Sequence, residues 1–111
     1  MATVHPSLQN QELKECVALL KAYAKKKDLK KGISLHEDIV KKGLLQINPF
    51  LLGSSLVSMY AKCGSLDKAQ IMLHELSVRD TVTWCELISG YTHQRQGHQA
   101  FDCFYRMQNE G

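Results

Sequence analysis

Apolar residues along this chain recur at helical spacing in six stretches that fall into three pairs. The leading stretch of each pair reads Cys16, Leu19, Leu20, Tyr23, then Leu52, Leu56, Met59, Tyr60, Cys63, then Trp84, Leu87, Ile88, Tyr91. The last of these follows i, i+3, i+4, i+7, the period of one buried helix face. The trailing stretches read Gly32, Leu35, His36, Ile39, Val40, then Leu66, Ala69, Leu73, Leu76, then Ala100, Cys103, Phe104, Met107. Strict alternation, the mark of a strand, is nowhere sustained, so the expected fold is all-α.

The pairs are copies of one unit. Leu19-Leu20-Lys21-Ala22-Tyr23-Ala24-Lys25 returns as Leu56-Val57-Ser58-Met59-Tyr60-Ala61-Lys62 and again as Leu87-Ile88-Ser89-Gly90-Tyr91-Thr92-His93, at spacings of 37 and 31 residues. A small residue, Gly32, Ala69 or Ala100, lies nine positions beyond each Tyr, where the two helices of a pair are expected to cross closely. The punctuation repeats as well. Gly64 suits the left-handed position that ends a helix, Ser65 suits the cap of the next with Asp67 in its first turn, and Asp28 takes the place of Ser65 in the first unit. Asn48-Pro49 is a helix start, and Lys41, Lys42 and Gly43 form a helix end. In the third unit Arg95 and Gln96 replace the Gly64-Ser65 pair. The architecture this implies is an α-solenoid of antiparallel helix-turn-helix repeats, two complete units and most of a third. Such arrays need about three units to outweigh chain entropy, so marginal stability is expected of the isolated chain.

Composition narrows the partners. The 111 residues carry 14 Lys plus Arg against 11 Asp plus Glu, but the excess is local: residues 13–49 hold nine Lys and four acids, residues 50–80 balance, and the rest is slightly acidic. A polyanion-binding surface should therefore lean toward the first half. No apolar run approaches the roughly 20 residues that span a bilayer, so no membrane partner is expected, and residues 1–12 show neither a secretory signal nor a transit peptide. The four cysteines, Cys16, Cys63, Cys85 and Cys103, have no C-x-x-C spacing and read as reduced thiols. Cys85, His93, His98 and Cys103 are metal-ligand types at spacings that match no closed zinc site, so no metal or other cofactor is expected. His36, on an apolar stripe, reads as a structural histidine. There is no Gly-rich phosphate loop and no Ser-His-Asp arrangement; the expected role is recognition without catalysis.

The stretch Ser55-Leu56-Val57-Ser58-Met59-Tyr60-Ala61-Lys62-Cys63-Gly64-Ser65-Leu66-Asp67-Lys68-Ala69, followed by Arg79-Asp80-Thr81-Val82-Thr83-Trp84 and Leu87-Ile88-Ser89-Gly90-Tyr91, resembles pentatricopeptide repeats, in particular the land-plant class that alternates repeat lengths. The resemblance implies a right-handed superhelix divided into an N-terminal segment (1–12), a long-type repeat (13–49), a short-type repeat (50–80) and an incomplete repeat (81–111). It also implies single-stranded RNA, not DNA, as ligand, one nucleotide per repeat, in a mitochondrion or chloroplast, with editing or processing proteins as further partners. The cytidine-deaminase-like domain that often ends such proteins needs His-x-Glu and Cys-x-x-Cys motifs, and both are absent from these residues.

By the same resemblance the second residue of each repeat packs on a base, which falls on Lys14, Leu51 and Val82. The fifth and last residues read the base edge: Ser54 and Asp80 in the middle repeat, Val17 in the first, which cannot hydrogen-bond, and Cys85 in the third. A small hydroxyl with Asp is expected to prefer guanine. Lys25 and Lys62 fall where the family holds the RNA backbone, with His93 in their place in the third unit. Plainer readings stand beside each: a solvated helix end for the lysines, a surface Ser and a helix cap for Ser54 and Asp80, boundary packing for Leu51 and Val82. The competing functions are a protein-interaction scaffold of helical repeats and a truncated fragment without independent activity.

Overall fold

The structure is a computed structural model that describes residues 6–76 and 79–110, with side chains from residue 10 onward. Residues 1–5 of the N-terminal segment and Gly111 of the third unit lie outside them. Among the described residues there are helices only: α1 (Pro6–Lys26), α2 (Leu29–Lys41), α3 (Leu44–Ile47), α4 (Pro49–Lys62), α5 (Leu66–Glu75), α6 (Thr81–His93) and α7 (Gly97–Glu110). Two features extend the expectation. Helix α1 begins at Pro6, inside the N-terminal segment, with the proline at the position where a missing amide hydrogen costs nothing. After Gly43, in the left-handed region at φ 69°, the chain adds the single turn α3 before α4.

Three hairpins, α1–α2, α4–α5 and α6–α7, stack in chain order. The leading helices pack directly on one another, α1 on α4 and α4 on α6, while each trailing helix rests on the leading helix of the next unit, α2 on α4 and α5 on α6. Helix α4 thus packs against α1, α2, α5 and α6, and Leu52, Gly53, Leu56, Val57, Met59, Tyr60 and Ala61 are all buried on it. The core runs through it from Leu20 and Ile39 to Leu73, Leu87 and Cys103.

The turn that closes each hairpin is the same hydrogen-bonded motif three times. Lys27 (φ 56°), Gly64 (φ 83°) and Arg95 (φ 58°) occupy its left-handed position. The amide after each donates back five residues: Asp28 to the Tyr23 carbonyl, Ser65 to Tyr60 and Gln96 to Tyr91, at 2.8–2.9 Å. The left-handed residue itself donates three back, to Ala24, Ala61 and Thr92. This satisfies the carbonyls that a helix end leaves unpaired, and it makes the recurring Tyr part of the turn; Tyr60 and Tyr91 also belong to the core, while Tyr23 is half-buried. The tyrosine hydroxyls also tie units together: Tyr91 donates to Gln70 Oε1 at 2.9 Å, and Tyr60 lies 2.6 Å from Nδ1 of His36. His36 is half-buried rather than fully buried, and desolvation holds its pKa below the ordinary value.

Some expectations are corrected. The small residue at Gly32 serves the stack, not its own pair, because a Cβ there would run into Met59 of α4. Ser65 sits at the start of α5 without a side-chain cap bond, whereas Asp28 caps α2 through the Lys31 amide and Asn48 caps α4 through the Leu51 amide. Leu19, Val40 and Phe104, assigned by period to buried stripes, are exposed. Leu19 and Phe104 belong to helices with a stacked unit on one side only, and Val40 ends a trailing helix, in the layer that packs less closely.

Arg95 holds a left-handed backbone with a Cβ. Arg95→Gly releases roughly 1–2 kcal/mol of strain against roughly 0.4–1 kcal/mol of added unfolded-chain entropy. A net gain of about 0.5–1 kcal/mol in urea unfolding is therefore expected, with no gain for Arg95→Ala.

Candidate nucleic-acid interface

The leading helices carry the candidate site because they stack face to face. A cleft of about 620 Å³ opens along them, lined by Leu20, Lys21, Ala24 and Lys25 of α1, Ser54, Ser55, Ser58, Met59 and Lys62 of α4, and Val82, Thr83 and Glu86 of α6. Four of the residues singled out by sequence, Lys25, Ser54, Lys62 and Val82, are brought together here from three helices. A second cleft of about 530 Å³ adjoins it at the helix ends and brings Lys62 together with His93 and Lys27.

The apolar members of the set differ in place: Val82 lines the cleft, whereas Leu51 lines neither cleft. Val82 is 66% exposed and Leu51 36%, so boundary packing does not account for Val82. Ser54 donates its hydroxyl proton to the Leu51 carbonyl at 3.2 Å, which leaves the oxygen to accept. Asp80 is the cap of α6: its Oδ1 accepts from the Thr83 amide at 2.8 Å and the Thr83 hydroxyl at 2.5 Å. Those bonds hold its pKa below the usual carboxylate value. A carboxylate has about four acceptor sites, and Thr83 occupies two of them. Thr83 itself lines the cleft, whereas Asp80 is not among the residues that line either cleft.

The other assignments fare unevenly. Cys85 is exposed on α6 and Lys14 on α1, and neither lines the two clefts. Val17 is half-buried and packs against the core, so its side chain is given to α1 packing. His93 Nδ1 donates to the Ser89 carbonyl at 2.8 Å, so a neutral ring leaves Nε2 as an acceptor and only the imidazolium could donate to phosphate. Lys62 stands 4.0 Å from Glu86, across the α4–α6 boundary. Sequence reasoning missed Lys21, Ser55, Ser58, Thr83 and Glu86. Lys21 and Ser58 lie one helical turn from Lys25 and Ser54 and were within reach of a face argument; Glu86 was not, because its partner is on another helix.

The four cysteines are free, and burial pushes the Cys16, Cys63 and Cys103 thiols up, the reverse of a nucleophile. Among the described residues no three His, Cys, Asp or Glu side chains converge on a possible metal position, and no helix is long and apolar enough to cross a membrane.

The family profile described as PPR repeat matches residues 16–44, 54–80 and 82–111. The chain belongs to the pentatricopeptide repeat family. Its relatives include, in Arabidopsis thaliana, pentatricopeptide repeat-containing protein At3g12770, 39% identical over 94 residues that cover 85% of this chain and 13% of the relative. Another is pentatricopeptide repeat-containing protein At3g09040, mitochondrial, 41% identical over 90 residues covering 81% of this chain and 9% of that protein. A third, At3g02330, also named mitochondrial, is 40% identical over 76 residues, 68% of this chain and 8% of the relative. The pentatricopeptide chain thus spans about a tenth of the length of these relatives.

Replacing Asp80 by Ala should cost about 1 kcal/mol of stability through the lost cap. Because folding lowers its pKa, the contribution is complete above the unfolded carboxylate value and fades as pH falls through the folded one. The wild-type advantage over Asp80→Ala in denaturant unfolding should therefore be present at pH 7 and shrink in acid.

Proposed function

We propose that this chain is a single-stranded RNA-binding module of an organellar RNA processing or editing specificity factor of the class with alternating repeat lengths, reading one base per repeat and performing no catalysis itself. The observation that carries the reading is the cleft that gathers Lys25, Ser54, Lys62 and Val82. Phosphates would meet the lysines, in contacts that are blind to sequence. A base would lie between the exposed apolar side chains of Leu51 and Val82, and its edge would meet Ser54 and Asp80.

The hydrogen-bond inventory favours guanine for the middle repeat. With the Ser54 proton spent on the Leu51 carbonyl, both Ser54 and Asp80 present acceptors, and the guanine ring NH and amino group are both donors. Adenine and uracil each turn an acceptor toward one of them. On this reading the discriminating contact belongs to the middle repeat, the one flanked by a unit on either side. The first repeat offers only the packed Val17 and the third offers Cys85.

A protein-interaction scaffold is the competing reading, and an apolar groove of about 260 Å³ between α3, the start of α4 and the end of α5, with Ile47 and Phe50 exposed beside it, gives it a surface. A salt titration separates the two, because RNA binding loses affinity log-linearly with salt, by about 0.7 per phosphate contact for single strands, and peptide binding in an apolar groove does not.

Ser54→Asn should move the preferred base from guanine toward uracil among oligoribonucleotides that differ at one position, a change of roughly 1–3 kcal/mol in discrimination. An unchanged ranking would count against readout at Ser54. Lys62→Ala should weaken every sequence about equally and flatten the salt slope by up to about 0.7.

A further inference from the structure

Among the described residues, Glu86 is the one acidic side chain in the linings of the two adjoining clefts, whose basic members are Lys21, Lys25, Lys27, Lys62 and His93. It lines both clefts, as does Lys62, and the two carry the ion pair between them. The pair is partly open to solvent, with side-chain exposures of 54% for Lys62 and 29% for Glu86, so it can be displaced. Glu86 comes from α6 and Lys62 from α4, so the pair exists only where one repeat is stacked on the next. Lys62 is the cation at the meeting point of the clefts, and any polyanion crossing from one to the other passes it.

We infer that Glu86 is an internal competitor of the RNA backbone for Lys62. This rests on the RNA-binding reading above and adds to it a residue that sets how much of the affinity is sequence-blind. When phosphate takes Lys62, Glu86 loses its partner and must recruit a cation from solution, so the net counterion release at Lys62 is smaller than for an unpaired lysine. The backbone contact is weakened for every sequence alike, and the base contacts at Ser54 and Asp80 supply a larger share of the total binding free energy. The effect is modest, because an exposed ion pair is worth only a little in water.

The test uses the whole chain and labelled single-stranded oligoribonucleotides of one length that differ at one base. Glu86→Gln, close in size and uncharged, should bind all of them roughly two- to fivefold more tightly, the range that an exposed pair is worth, with the salt slope steeper by up to about 0.7. The base ranking should not change. Glu86→Asp, too short to reach Lys62 as well, should fall between wild type and Glu86→Gln. Combined with Lys62→Ala, the Glu86→Gln gain should largely vanish, and Lys62→Ala should cost more in the Glu86→Gln background than in wild type. Unaltered affinity in Glu86→Gln, a gain that persists in full without Lys62, or an altered base ranking each overturns the inference while leaving RNA binding in place. Wild-type protein that binds none of the oligonucleotides overturns the inference and the RNA reading together.

Discussion

The enclosure of α4 is the constraint on which the rest of the molecule depends. Apart from the face that carries Ser54, Ser55, Ser58 and Lys62, α4 is apolar, and that wide apolar surface is buried only when α1, α5 and α6 pack around it at once. That requirement joins the units. Because α1 and α6 must both lie against α4, the leading helices form a continuous layer, and the cleft that runs along this layer is a by-product of burying Leu52, Leu56 and Met59.

The hairpin turn is the device that makes the layer regular. Three hydrogen-bonded turns of identical pattern reverse the chain, at Lys27, Gly64 and Arg95, and only one of them has the residue best suited to the conformation. Stacking holds the Arg95 turn in place: Gln94 donates to the Gly64 carbonyl at 2.9 Å, and Gly90 approaches Leu66 and Ala61 so closely that a Cβ would collide with the Leu66 side chain. Local strain is thus tolerated because neighbouring units over-determine the backbone. At the other end of the hairpin, Arg79 plays a comparable part, donating to the Leu73 and His74 carbonyls at the end of α5 and pairing with Glu110 of α7. It anchors the backbone immediately before Asp80.

Within this frame the candidate interface divides its work between groups that the fold also uses. Asp80 caps α6 and Ser54 bonds its own helix, so each is held in one orientation by a structural bond that leaves acceptor capacity over. Such double use favours recognition, since the side chains lose little further freedom when a base arrives. Lys62 is likewise both a cross-unit partner and a candidate phosphate contact, and the balance between those roles lies with Glu86.

The sequence by itself determined the helical class, the three units, their turns and most of the core, because each depends on a period or a spacing read along one segment: Tyr23, Tyr60 and Tyr91 mark the same turn, and Leu56 and Leu87 the same buried position. It also marked Lys25, Ser54, Lys62 and Val82, through their places in the repeat. Only the tertiary structure decided that these four share a cleft, that Gly32 makes room for Met59 of the next unit, that Leu19 and Phe104 stay exposed, and that Lys62 meets Glu86. Each of those facts is set by which helix lies against which, and contacts between helices of different repeats leave no periodic trace in a single chain.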